Sequence, residues 1–166
     1  MFHVKHCDNI LYNLSLLYNI YIMKDTSSLG KYGEDIACEY LVDNKYAIVE
    51  RNKATQFGEI DIIAKSPDKT LVFIEVKTIR LKIEDAKQGP ASYPQVRQAY
   101  RQKGDVLLPE DNMTFSKMKK FGKISEWYFN KEGGKVGCSS YRLDLVAICM
   151  NKNSIPTISH YTNLIY

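Results

Sequence analysis

Gly58-Glu-Ile-Asp-Ile-Ile-Ala64, followed after a short polar break by Leu71-Val-Phe-Ile-Glu-Val-Lys77, is the stretch on which the fold of this chain turns. Both runs are rich in β-branched and apolar residues, and Ser66-Pro67-Asp68-Lys69 between them has the composition of a turn, so the pattern predicts a two-stranded hairpin. Glu59, Asp61, Glu75 and Lys77 interrupt otherwise apolar strands. Side chains alternate between the faces of a strand, which puts Glu59 with Asp61 and Glu75 with Lys77. An antiparallel pair centred on Asp68 sets Asp61 opposite Glu75 and Glu59 opposite Lys77. Facing carboxylates repel each other, and a chain that places them so is best explained by a cation between them. A surface hairpin with cross-strand ion pairs accounts for Glu59 with Lys77 but leaves Asp61 and Glu75 unexplained.

Outward from the hairpin, 166 residues with 45% hydrophobic content suffice for one domain with one core. The net charge of +4 is compatible with nucleic acid. Cys7, Cys38, Cys138 and Cys149 form no Cys-x-x-Cys pair, which argues against a zinc ribbon or a disulfide framework. Cys38 and Cys149 fall in apolar patterns and read as thiols buried in a reducing compartment, so a cytoplasmic protein is expected. Residues 1–23 stand apart as an extension outside the core, and residues 24–166 read as a single domain. Ile10 to Met23 is apolar and aromatic, but Asn13 and Asn19 interrupt it and no small-residue cleavage site follows. Neither a signal peptide nor a stable membrane association is expected. His3, His6 and Cys7 lack a second cluster at zinc-ligand spacing and read as part of the extension.

Thr26-Ser27-Ser28 offers N-caps for a helix from about Leu29 to Asp43, whose Leu29, Gly33, Ile36, Ala37, Tyr40 and Leu41 form one apolar stripe. Glu34 borders that stripe instead of opposing it. Tyr46 to Val49 reads as a short strand leading through a polar loop to the hairpin. Residues 78–112 contain Gly89-Pro90, Pro94 and Pro109 and are long for a connection; a helical piece from Gln95 to Leu108 carries Arg97, Arg101 and Lys103. A second amphipathic helix is predicted over Ser116 to Asn130, with Lys117, Lys119, Lys120 and Lys123 on its polar side. Such a face is either solvated surface or one wall of a phosphate-facing cleft. Tyr141 to Met150 is a strand, mostly apolar after Asp144 and therefore central, and Ile155 to Tyr161 is a last short strand.

These carboxylates suit phosphodiester hydrolysis assisted by a divalent cation, which needs hard oxygen ligands on rigid elements and a positive side chain near the attacking water. Asp61 and Glu75 fit the ligand role, with the backbone carbonyl between Glu75 and Lys77 as an expected extra ligand. Lys77 fits the water and phosphate, and Glu34 is the candidate third carboxylate.

The Glu-Ile-Asp-Ile-Ile and Phe-Ile-Glu-Val-Lys runs resemble the bipartite core of the PD-(D/E)xK nuclease superfamily. More narrowly, residues 29–166 resemble the YraN-like family of small bacterial proteins with an endonuclease-like fold. The match includes Gly30-Lys-Tyr-Gly-Glu-Asp-Ile-Ala37, Arg51-Asn52, Phe73-Ile-Glu-Val-Lys-Thr78, Thr114, Lys117, Arg142-Leu-Asp-Leu-Val-Ala147, and His160 with Asn163. The resemblance implies an α/β, restriction-endonuclease-like fold, with a central mixed β-sheet of about five strands flanked by helices. It implies a catalytic set of Glu34, Asp61, Glu75 and Lys77, with Mg²⁺ or Mn²⁺ on Asp61, Glu75 and Glu34. It also implies a nucleic-acid partner, DNA before RNA. Archaeal Holliday-junction resolvases use a similar set, which points to structured DNA and to a homodimer; the alternative is a binding module that keeps the fold without turnover. Lys117, Lys120, Arg97 and Arg101 are the expected nucleic-acid contacts, and Glu59 is a supporting residue and the expected partner of Lys77. Ile60 stands where the superfamily has proline, and the family's Lys-Thr-Arg is here Lys77-Thr78-Ile79-Arg80. Arg142 and Asp144 read either as an ion pair or as support for the sheet edge, and His160 as structural.

Overall fold

The computed structural model describes residues 3–6, 26–80, 111, 113–150 and 156–165. Along the chain lie β1 (His3–His6), α1 (Thr26–Asp43), β2 (Ala47–Thr55), β3 (Gly58–Lys65), β4 (Leu71–Arg80), α2 (Phe115–Glu132), β5 (Tyr141–Met150) and β6 (Thr157–Thr162). The strands form one sheet in the order β1-β6-β5-β4-β3-β2. Among the described residues only the central β4–β5 pairing, from Leu71–Tyr141 to Arg80–Met150, is parallel, so the sheet is mixed. This is the α/β arrangement that the motifs imply, compatible with a restriction-endonuclease-like fold. It has one strand more than expected, because His3–His6 of the N-terminal extension pairs antiparallel with β6 as an outer strand.

Among the described residues, one helix packs on each face of the sheet. Tyr32, Ile36, Ala37, Tyr40 and Leu41 of α1 pack on Ile62, Val72, Ile74, Val146 and Ile148. Phe121, Ile124 and Tyr128 of α2 pack on the other face, against Ile60, Ile63, Leu71, Phe73 and Leu143. Eight of the ten residues of β5 are buried, as a strand covered by helices on both faces requires. The first helix starts at Thr26, so the predicted caps lie inside its first turn. At α2 the cap is Thr114, whose side chain accepts from the Lys117 amide. Strand β2 runs on through the stretch expected to be a polar loop, because Arg51 and Lys53 pair with Ile62 and Ile60.

The hairpin register is the one that centring on Asp68 predicts: Lys65 pairs with Leu71, Ala64 with Val72, Ile63 with Phe73 and Ile62 with Ile74. Its turn is stapled by Asp68, which accepts from the Ser66 hydroxyl and the Thr70 amide and is held down to about 2 by those bonds, Ser66 first. Beyond Ile62 the strand departs from strict alternation. Ile60 belongs to the α2-side core and Ile62 to the α1-side core, although they are two residues apart. Asp61 lies between them, and the β2 position opposite holds Asn52 in the left-handed region at φ 49°, while the β2–β3 register itself shifts only between Ile48 and Glu50.

Candidate functional site

Asp61 lies just beyond Ile62–Ile74, the last pair of the β3–β4 ladder, where the two strands part. Its Oδ2 accepts from the Val76 amide at 2.7 Å, so a side chain takes a backbone donor that a ladder would otherwise use. Burial first, and the charge of Glu75 second, push the Asp61 carboxyl up to about 7. The Val76 amide and Lys77 oppose that rise, and Glu34 adds to it. Three of the predicted residues thus act electrostatically on the fourth.

Glu75 and Lys77, two apart on β4, are joined to each other by an ion pair, with side chains 19% and 28% exposed. This corrects the expected Glu59–Lys77 pairing. Glu59 pairs across to Ala54 of β2 and is exposed, and its side chain makes no hydrogen bond or ion pair to a described residue. The reason is the early end of the β3–β4 ladder, which removes the position facing Lys77.

Glu34 arrives from α1 through a close helix–sheet contact. A Cβ added at Gly33 would collide with Thr78 Oγ1, so only glycine lets the helix approach β4 this closely. Among the described residues, the buried Oε2 atom of Glu34 has no hydrogen-bond partner, and neither has Thr78 Oγ1. A buried carboxylate oxygen without a donor is expensive. Its neighbours include Asp61, another desolvated acid. Hard carboxylate oxygens in a cluster short of positive charge fit Mg²⁺ or Mn²⁺ in donor type and in charge. The donors converge without closing: among the described residues no three His, Cys, Asp or Glu side chains are gathered closely enough to hold an ion, and Glu75 is held by Lys77.

Of the expected nucleic-acid contacts, Lys117 and Lys120 are exposed on α2. Lys120 lies beside the start of β3, where a Cβ built on Gly58 would stand 3.4 Å from its Nζ. Arg97 and Arg101, with the predicted helix 95–108, lie outside the described residues. Sequence reasoning missed Thr78 and the Val76 amide as parts of the site. Gly33 carried a signal in retrospect, since a glycine inside an apolar helical stripe marks a close approach.

A second polar network, centred on one acid, occupies β5 and β6. Asp144, fully buried, accepts from Arg142 Nε at 3.1 Å and from the Asn163 amide at 2.9 Å, and lies 2.9 Å from His160 Nε2. Arg142 also donates to the Tyr46 hydroxyl at 2.9 Å, and the Tyr40 hydroxyl lies 3.5 Å from His160 Nδ1. The expected Arg142–Asp144 pair is therefore present, enlarged by His160 and two tyrosines from the α1 side.

Comparison with known proteins agrees with the motif reading. A model of the uncharacterised protein family UPF0102 matches residues 33–148. A UPF0102 protein of Geotalea uraniireducens is 35% identical over 136 residues, covering 82% of this chain and 87% of the relative. One from Campylobacter lari is 37% identical over 131 residues, covering 79% and 90%. One from Rhodococcus jostii is 33% identical over 139 residues, covering 83% and 96%. Among the described residues no helix is long and apolar enough to cross a membrane.

Proposed function

The chain belongs to the uncharacterised protein family UPF0102, the YraN-like family, and we propose that it is a metal-dependent nuclease-like protein hydrolysing phosphodiester bonds in DNA. The observation that carries this reading is the unpartnered, buried Oε2 of Glu34 beside a desolvated Asp61 whose carboxyl is pushed up to about 7. Asp61, Glu75 and Glu34 would hold Mg²⁺ or Mn²⁺. When bound, such an ion supplies the charge that stabilises the developing phosphate charge and acidifies water. Asp61 is fixed for its role by the Val76 amide, and Glu34 by the Gly33 contact with Thr78. Lys77 supplies an ammonium at the rim, able to donate to the attacking water and to a phosphate oxygen. The lysines of α2, which outnumber its glutamates five to two, give a phosphate-attracting surface next to the start of β3. The same reading keeps the protein with DNA in the cytoplasm, in line with the free thiols of Cys38, Cys138 and Cys149.

One observation favours the alternative, a binding module without turnover: Glu75 already has a cation in Lys77. A cleavage panel of linear, branched and single-stranded DNA separates the two. The nuclease reading expects cleavage with Mg²⁺ or Mn²⁺ that disappears with chelator, and in Asp61→Ala and Lys77→Ala proteins that remain folded. Binding of these DNAs without cleavage of any of them by the wild type overturns the catalytic reading and leaves the module.

A further inference from the structure

We infer that Phe57, backed by Trp127 and flanked by lysines of α2, is a stacking platform for an unpaired base of the DNA strand that the gap between β3 and β4 receives. The inference rests on the reading of the chain as a DNA-acting protein for its ligand class. Phe57 is the second residue of the tight turn Gln56-Phe57 joining β2 to β3. Such turns usually carry Asn, Asp or Gly, and a large aromatic there gains nothing for the turn itself. The turn is nevertheless held firmly: the Thr55 hydroxyl accepts from the Phe57 amide at 3.2 Å and donates to the Gly58 carbonyl at 2.7 Å. Gly58 follows at φ 140°, a conformation that favours glycine. The ring is therefore presented on a rigid support while remaining 48% exposed.

Phe57 is not an isolated surface apolar residue. Its ring meets Trp127 edge-on at 6.0 Å between centroids, and Lys131 Nζ lies 5.0 Å from the Trp127 ring centre. Lys120 borders Gly58, the residue after Phe57. Lys120, Trp127 and Lys131 are spaced by seven and four residues, so they share one side of α2. Lys120 and Lys131 are separated by about 16 Å along the axis at about 1.5 Å per residue, long enough to meet more than one phosphate of an extended strand. Aromatic rings between cations that track a backbone are the general means of holding single strands, because every base has a face to stack. Asp61 follows Phe57 on β3, about 13 Å away at about 3.3 Å per residue, so a strand stacked on Phe57 leads its next phosphates toward the acids. Glu59, exposed between them, is the acid nearest in sequence and tempers this charge without cancelling it.

The test is fluorescence anisotropy in chelator, so that cleavage plays no part. The probes are a short labelled oligothymidylate, an abasic strand of the same length and a blunt duplex. Phe57→Ala is expected to bind oligothymidylate about 5- to 100-fold more weakly, while its affinity for the abasic strand and the duplex stays within about twofold of wild type. Phe57→Tyr is expected to retain binding and Phe57→Leu to lose it, which separates stacking from apolar contact. Equal loss for base-bearing and abasic strands, no loss for either, or lost self-association with strand binding unchanged overturns the platform. A chain that binds strands through Phe57 yet cleaves nothing overturns the nuclease reading alone. A chain that cleaves while Phe57→Ala binds like wild type overturns the platform alone.

Discussion

The half-buried acids beside β3 and β4 and the buried Asp144 of β5 sit close together in one sheet, and the protein treats them differently. Asp144 on β5 is fully buried, yet every charge and lone pair near it has an answer within the chain: Arg142, His160 and the Asn163 amide surround it. At the gap between β3 and β4, Asp61 receives one backbone amide, Glu34 Oε2 receives nothing, and Glu75 shares Lys77. The two sites are close in the sheet, since Asp144 pairs with Ile74, the residue before Glu75. A buried carboxylate needs compensation wherever it sits. Where the chain itself provides it, the acid is structural; where the chain stops short, the proposed cation would supply the missing charge.

That contrast can be broken at three points. The largest effect is expected from Asp144→Ala, which leaves the half-buried Arg142 and the buried His160 without their anion. A loss of about 3–5 kcal/mol in chemical denaturation follows from uncovering one partner of a buried pair. A loss below about 1 kcal/mol, the scale of an exposed pair, would mean that Asp144 is no more satisfied than Asp61. Next comes Gly33→Ala, whose added methyl must push α1 away from Thr78. About 1–3 kcal/mol of destabilisation is expected from such overpacking, with part of it recovered in Gly33→Ala/Thr78→Ala, where the obstructing hydroxyl is gone. Recovery checked by thermal melting would tie the position of Glu34 to this contact; identical single and double variants would untie it.

The smallest effect has the opposite sign. With its carboxyl pushed up to about 7 in the folded chain against an ordinary value of 3.8, Asp61 keeps a proton when folded that it has lost when unfolded. The metal-free protein therefore loses stability as pH rises from about 4 to about 7, and has this penalty in full above that window. Asp61→Asn removes the ionisation while keeping an oxygen for the Val76 amide. Its metal-free melting temperature at alkaline pH is expected to exceed that of wild type by about 2–4 °C, the equivalent of roughly 1 kcal/mol. A lower melting temperature would put Asp61 among the satisfied acids, with Asp144.

How much of this could be read in the sequence follows from the range of each interaction. The hairpin register was legible because a turn composition and two apolar runs fix a local pairing, and the observed Ile62–Ile74 pair obeys it. The partner of Lys77 was not, because facing positions assume a ladder that continues, and Asp61 ends it by taking the Val76 amide. Glu34 could be placed at the border of a stripe from helical spacing, but its delivery to β4 depends on Gly33 meeting Thr78, two residues far apart in the chain. The Arg142–Asp144 pair was legible from same-face spacing on one strand. The part played by His160 was not, since it depends on the β5–β6 register, which pairs His160 with Val146. Likewise, the pairing of β1 with β6 joins the two ends of the chain, and no local pattern in His3–His6 announces it.

The claim that the gap lacks a cation which the protein is built to receive is tested most directly by calorimetric titration of Mn²⁺ into the metal-free wild type and into Glu75→Ala. The account predicts a saturable heat of binding for the wild type and only dilution heat for the variant, both proteins being folded. Equal heats from the two would contradict it.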